Sequence, residues 1–394
     1  MDEVGENFIL ISEDGGLSWG PQAEDLPGEV ETRLSDGTLV SIVSGCERTL
    51  EENRAVVEAA GRNPDTVTGD RDYWPEEMRE ELERRGYVVF GAFTGTLMTE
   101  TALDCLRSFD GGQTYERQRI EGLPPMGRRL GTFRSLLCLE DGTLLTACFG
   151  KWGGGRSAVG HFAYALRSVD RGESWTLVPI GDDPSGRRDF DETDLLQLPD
   201  GRVLAMMRSY EQPGRKEAYL HQSFSADGGR TWSAPQATPI WGYPPQLTRL
   251  QDGAIHCVYA HRRYPYGIRA CLSRDGGQSW DIENEIVVRD DAMTGRVGYP
   301  TSVQLEDETI VTAYSLERIP RVPYSADDSV AWGAGKYSGD IVIHGWGRDP
   351  QTQANVGGCH GFAGVSRYTP DYVRPLGQTS SAVRYRTGGA DTTD

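Results

Sequence analysis

Short apolar runs alternate with clusters of turn residues along most of the chain. Leu195-Leu196-Gln197-Leu198 and Val203-Leu204-Ala205-Met206-Met207 are rich in strand formers and flank Pro199-Asp200-Gly201, the pattern of a β-hairpin. The arrangement recurs around Ser35-Asp36-Gly37, Glu140-Asp141-Gly142, Gln251-Asp252-Gly253 and the degenerate Glu306-Asp307-Glu308. A second repeat is interleaved with the first, at residues 12–19, 108–115, 168–175, 225–232 and 273–280, each reading Ser-x-Asp-x-Gly-x-Ser/Thr-Trp/Tyr. Its aspartate can bond turn amides, its glycine permits positive φ, and its aromatic ring packs under a sheet. One repeat joins strands one and two and the other joins strands three and four, which gives four strands per unit and predicts a β-propeller.

The repeat at 12–19 precedes the first inner hairpin and needs inner strands from elsewhere, for which residues 362–374 are available. The expectation is an all-β, six-bladed propeller of four-stranded antiparallel blades, one domain over residues 1–394 closed by both ends; five blades with a tail is the alternative. Residues 47–86 break the rhythm. Glu51–Ala60 and Pro75–Gly86 read as two helices inserted between strands two and three of the first blade. Both hairpin types share one face of the propeller, so this insertion and the loops at 150–161, 209–217, 261–267 and 316–337 belong to the other. Those loops are rich in Arg, Trp, Tyr, His and Gly, and binding residues concentrate on such loops.

With 49 Gly, 21 Pro and 37% hydrophobic residues, the composition fits many short strands. No apolar run approaches the ~18 residues that cross a bilayer, and the acidic start Met1-Asp2-Glu3 is not a secretory signal. The sequence as it stands reads as soluble and cytoplasmic, or secreted if a leader was removed. Seven scattered cysteines without a CxxC pair point to buried thiols rather than disulfides or zinc. The formal charge of −19 argues against nucleic-acid partners. Six dispersed histidines have no metal-ligand spacing, and no cofactor is expected.

The five repeats are Asp boxes, and the chain resembles the sialidase superfamily. That family carries a glutamate shortly before one inner hairpin and an arginine on the strand after it, which Glu192 and Arg208 match in the third blade. Gly298-Tyr299-Pro300 is similar to the segment with the family's tyrosine nucleophile. The resemblance implies that Tyr299 attacks while Glu192 accepts its proton, since a phenol titrates near ~10 and needs an adjacent base. It also implies arginines that grip a substrate carboxylate. Arg208 and Arg263, with Arg262 as the alternative to the latter, fill that role. Arg33 lies too near its turn for the family's first arginine, and Arg134 imitates the motif from the second blade instead. The general acid falls in the insertion, at Asp70 or Asp72, with Asp194 a further carboxylate should the tyrosine not act. These departures leave an acidic sugar other than sialic acid open. Trp152 and Trp241 can stack on a sugar or simply pack, and Glu192 with Arg208 can also be read as a structural salt bridge. Three functions follow: an exo-acting glycoside hydrolase with a carbohydrate substrate, a carbohydrate-binding propeller without turnover, or a protein-docking propeller.

Overall fold

A computed structural model describes residues 10–18, 20–21, 30–46, 67–68, 88–89, 101–121, 126–152, 161–183, 185–211, 217–292, 295, 297–318, 341–343 and 360–370. Five four-stranded antiparallel sheets follow one another as blades. The first contains Val30–Arg33, Leu39–Cys46, Thr101–Ser108 and Glu116–Arg119, and the second Met126–Cys138, Leu144–Trp152, His161–Ser168 and Thr176–Gly181. The third contains Arg188–Gln197, Val203–Glu211, Tyr219–Ser225 and Gln236–Trp241, and the fourth Pro245–Arg249, Ile255–His261, Gly267–Ser273 and Ile286–Arg289. In the fifth, Gly298–Gln304 and Ile310–Arg318 are followed across the sheet by His360–Tyr368 and then Ile341–Ile343. Successive inner strands, the first named in each blade, pack side by side. Four apolar layers among the described residues lie between neighbouring blades: Val40, Ile42 and Leu103 meet Leu144 and Leu166, for example, and Leu204 and Met206 meet Cys257 and Cys271. The core is therefore stacked between sheets rather than gathered in one centre.

Both turn repeats form as their chemistry requires. In the box at 225–232, Asp227 Oδ1 accepts the Thr231 amide at 2.9 Å, its Oδ2 accepts the Thr231 hydroxyl at 2.6 Å, and Ser225 Oγ accepts the Gly229 amide at 2.8 Å. At the inner hairpins the aspartate caps the amide two residues on, from Thr38 to Thr309. Four of these turns place Gly at φ between 82° and 91°, whereas the fifth forces Glu308 to φ 67°. A side chain in this left-handed region is strained.

The boxes of the second, third and fourth blades also touch the blade before their own. Arg171 of the second blade's box bonds Asp36, and Gly277 of the fourth blade's box lies against Leu204. The box at 12–18, carried by the two-stranded hairpin Leu10–Ile11 and Gly20–Pro21, packs Gly15 against Leu305 and Arg367 of the fifth blade. Five complete blades correct the expectation of six. Residues 360–368 do not build the inner strands of a closing blade, because they pair with 310–318 at nine successive positions and so satisfy that strand's open edge. The expected helices at 51–60 and 75–86 lie outside the described residues; between them Val67–Thr68 is a strand paired in parallel with Val88–Val89, a state that β-branched residues favour. No helix occurs among the described residues, and none long and apolar enough to cross a membrane. Cys105, Cys148, Cys257 and Cys271 are buried free thiols, and Cys138 is exposed.

Candidate active site

Chain direction puts the starts of the inner strands, the ends of the second strands and the loops that follow them on the face opposite the Asp boxes. There the third blade departs from regular pairing. Thr193 faces Met207 and Phe190 faces Ser209, so Asp191 and Glu192 together oppose the single residue Arg208. Adjacent residues of a regular strand point to opposite faces, whereas a bulge re-aims one of them. Both carboxylates accordingly reach the same guanidinium. Arg208 Nη1 donates to both Glu192 oxygens at 2.9 Å, and its Nε lies 4.0 Å from Asp191, which also accepts a hydrogen bond from the Tyr210 hydroxyl. Glu192 and Arg208 are each 7% exposed. Burial works against the arginine's charge, but Glu192 and then Asp191 outweigh it and hold Arg208 protonated more firmly than usual.

The fifth blade repeats the device. Gly298 faces Ser315 and Thr301 faces Ala313, leaving Tyr299 and Pro300 in a bulge, with Tyr299 at φ 52°. Counted back from the turn aspartates, Glu192 and Tyr299 occupy the same position, eight residues before Asp200 and Asp307. Tyr299 is 46% exposed, yet its hydroxyl turns in and donates to Glu192 Oε1 at 3.3 Å. Burial of the phenol, then the charge of Glu192, raise its pKa, while Arg208 and Arg262 pull the other way.

The fourth blade supplies a ring and an arginine. Tyr243, in the linker ahead of Pro245–Arg249, has the Arg208 guanidinium 4.4 Å from its ring centre and that of Arg262 at 4.9 Å. Arg262 Nε donates to the Val297 carbonyl at 2.9 Å, and its Nη2 comes so close to Gly298 that a Cβ there would lie 2.7 Å away. Burial and the neighbouring Arg208 both lower the pKa of Arg262. Among the described residues, Nη2 of Arg208 and the terminal nitrogens of Arg262 make no hydrogen bond.

Glu192, Arg208, Tyr299 and Arg262 thus meet at one place. Arg263 does not join them directly: it is exposed and lies over the Trp241 ring at 3.7 Å, which covers a face that a sugar would otherwise use. Arg134 belongs to a third irregular stretch, residues 133–135 of the second blade's inner strand, but its side chain lies outside the described residues, as do Trp152, Asp70 and Asp72. Arg33 is exposed beside its turn. Asp194 is no alternative carboxylate, since it is fully buried and accepts the Leu247 amide at 2.6 Å, tying the third blade to the fourth. Asp191, Tyr210 and Tyr243 escaped the sequence reading. Tyr243 had a signal: Gly242-Tyr243-Pro244 repeats the tripeptide Gly298-Tyr299-Pro300.

A profile of the BNR repeat-like domain matches residues 87–312, more than half of the sequence. The chain belongs to the BNR repeat-like family. That assignment agrees with the Asp boxes and with the sialidase resemblance they carry. Among solved structures, a protein of unknown function from Dyadobacter fermentans DSM 18053 is similar over 93% of this family member and 86% of its own chain, at 20% identity and TM-score 0.56. Hadza microbial sialidase Hz136 matches 71% of this chain and 48% of its own at 16% identity and TM-score 0.42. The α-L-arabinanase of Penicillium chrysogenum, complexed with arabinobiose, matches 78% and 80% at 14% identity and TM-score 0.47. At these identities the likeness is one of fold. No curated protein sequence matches the chain.

Proposed function

We propose that the chain is an exo-acting glycoside hydrolase of sialidase type, acting on a glycan that ends in an acidic sugar. One observation carries the reading: the Tyr299 hydroxyl donates to Glu192 at 3.3 Å, and Arg208 grips that same carboxylate. The raised pKa keeps the phenol protonated at rest, so it approaches an anionic sugar without charge repulsion. As the phenolic oxygen bonds to the anomeric carbon, Glu192 takes the phenol's proton and the bond to the aglycone oxygen breaks. That oxygen leaves with a proton from an acid on the 47–86 segment, Asp70 or Asp72. Water then attacks the anomeric carbon and gives a proton to the carboxylate that had acted as the acid, while the tyrosyl-sugar bond breaks and Glu192 returns its proton to the Tyr299 oxygen. The unbonded nitrogens of Arg208 and Arg262 hold the sugar carboxylate, with Arg263 and Arg134 at the periphery.

A second reading is carbohydrate binding without turnover. It is favoured by the engagement of both Glu192 oxygens by Arg208, which makes Glu192 the partner of a structural ion pair. A panel of aryl glycosides of acidic and neutral sugars separates the two. Hydrolysis of an acidic member, abolished by Tyr299→Phe with its affinity retained, supports the hydrolase; binding without release of the aryl group supports the lectin-like reading. Cleavage that survives Tyr299→Phe removes Tyr299 as nucleophile.

A further inference from the structure

The aromatic rings around the site are not equally available. Trp241 carries Arg263 at 3.7 Å, and Tyr243 carries both Arg208 and Arg262. Tyr210 is 1% exposed and has Arg208 at 5.3 Å. Tyr264 differs from all of these. Among the described residues its 88% exposure is the highest of the large apolar side chains, and its one ring neighbour is Tyr266, edge-on at 6.3 Å and 89°.

Its support is firm although its face is bare. Tyr264 sits in the short connection between Ile255–His261 and Gly267–Ser273, two residues after Arg262. That connection is tied at both ends of the turn: Arg262 Nε bonds the Val297 carbonyl, the Tyr266 carbonyl accepts the Ala292 amide at 3.1 Å, and His261 Nδ1 lies 3.2 Å from the Pro265 carbonyl. The Tyr266 ring lies against Gly295. The partners at 292–297 lead directly into Tyr299, so the turn and the reacting tyrosine are fastened to one another through a single stretch of chain. An anchored turn holding a bare ring at the rim of a sugar site loses little conformational freedom when a pyranose face packs on it.

We infer that Tyr264 is the platform of a second sugar subsite, which stacks the ring on the aglycone side of the scissile bond and makes the preferred substrate an oligosaccharide rather than a single glycoside. The inference rests on the proposed site at Glu192 and Tyr299. The inner rings are already occupied by arginines that orient the terminal acidic sugar, and the bare ring at the edge takes the next unit by its apolar face.

The test uses sialyllactose and free sialic acid as probes, titrated calorimetrically into Tyr299→Phe and into Tyr299→Phe/Tyr264→Ala, with a glucuronate-terminated xylo-oligosaccharide and free glucuronate as the second probe pair. For the pair that binds, removal of the Tyr264 ring is expected to weaken the oligosaccharide about tenfold and the monosaccharide less than twofold, on the scale of one aromatic stacking contact. In parallel, Tyr264→Ala alone is expected to raise KM for the oligosaccharide severalfold. Equal losses for mono- and oligosaccharide, or no loss for either, overturn the subsite while leaving the hydrolase intact. Selective loss of oligosaccharide binding in a protein whose wild type hydrolyses neither probe sustains the subsite and removes the hydrolase. Failure of all four probes to bind wild type overturns both.

Discussion

Replacing Glu192 by glutamine separates the structural role of this residue from its chemical one. The change keeps the shape and one acceptor oxygen but puts an amide where Arg208 Nη1 now donates to two carboxylate oxygens at 2.9 Å, in a pair 7% exposed on both sides. Breaking a buried ion pair by removing one partner costs about 3–5 kcal/mol. The surviving amide oxygen, and Asp191 at 4.0 Å from Nε, reduce the loss to about 2–3 kcal/mol. At ~2.1 cal/mol/K per residue, 394 residues give an unfolding entropy of about 0.8 kcal/mol/K, so the melting temperature drops by about 2–4 °C. Tyr299→Phe gives up only the 3.3 Å bond, about 0.5–1 kcal/mol, and melts within about 1 °C of wild type. Both variants are expected to lose turnover, since one lacks the nucleophile and the other its proton acceptor. Calorimetric melting beside steady-state rates on an acidic aryl glycoside reads both effects. A Glu192→Gln protein that melts about 2–4 °C lower but turns over normally makes Glu192 a structural partner of Arg208. One that melts with wild type refutes the ion-pair energetics.

Gly298→Ala puts a methyl group 2.7 Å from Arg262 Nη2, the far end of a flexible side chain, so stability should change by less than about 0.5 kcal/mol while KM for acidic substrates rises severalfold; an unchanged KM would dissociate Arg262 from carboxylate binding. Glu308→Gly relieves the left-handed φ of 67° and is expected to stabilise by about 0.5–1 kcal/mol in urea unfolding, net of the entropy gained by the unfolded chain; destabilisation would mean that Glu308 makes contacts that matter more than its backbone strain. The Asp-box carboxyls Asp110 and Asp227 are lowered to about 2, chiefly by the hydroxyls of Thr114 and Thr231. Their contribution is complete above the ordinary carboxyl range near 3.8 and is lost as pH falls through about 2, so melting temperature should decline across that window. A flat profile there would show that these bonds persist in the unfolded chain.

The Asp boxes were legible in the sequence because the bonds that shape each turn span four residues or fewer, as between Ser225 and Thr231 in one loop. The face that carries the candidate site followed from chain direction. Glu192 opposite Arg208 could be counted off the hairpin at Pro199-Asp200-Gly201, but Asp191 could not, because only a bulge brings it to the same guanidinium. The meeting of Tyr299 with Glu192 depends on packing between blades three, four and five, which no local rule conveys. Between Arg262 and Arg263 the sequence favoured Arg263, whereas Arg262 is the one beside Tyr243 and Arg208: the strand ends at His261, and beyond it alternation no longer assigns a side. The blade count failed for a related reason, since the third strand of the fifth blade lies beyond 41 intervening residues, 319–359, and pairing across such a gap leaves no periodic trace.

The irregular pairings at 133–135, 191–192 and 299–300 have an evolutionary consequence. A residue in such a stretch has left the ladder, so exchanging its side chain breaks no rung and shifts no register in its sheet. The mouth of the propeller therefore behaves as a set of sockets in a fixed frame, where new chemistry can be installed by point substitution. The fourth blade, paired without interruption from Pro245 to Arg249, has no such socket, and it contributes instead through its linker ring and through the arginines of its loop.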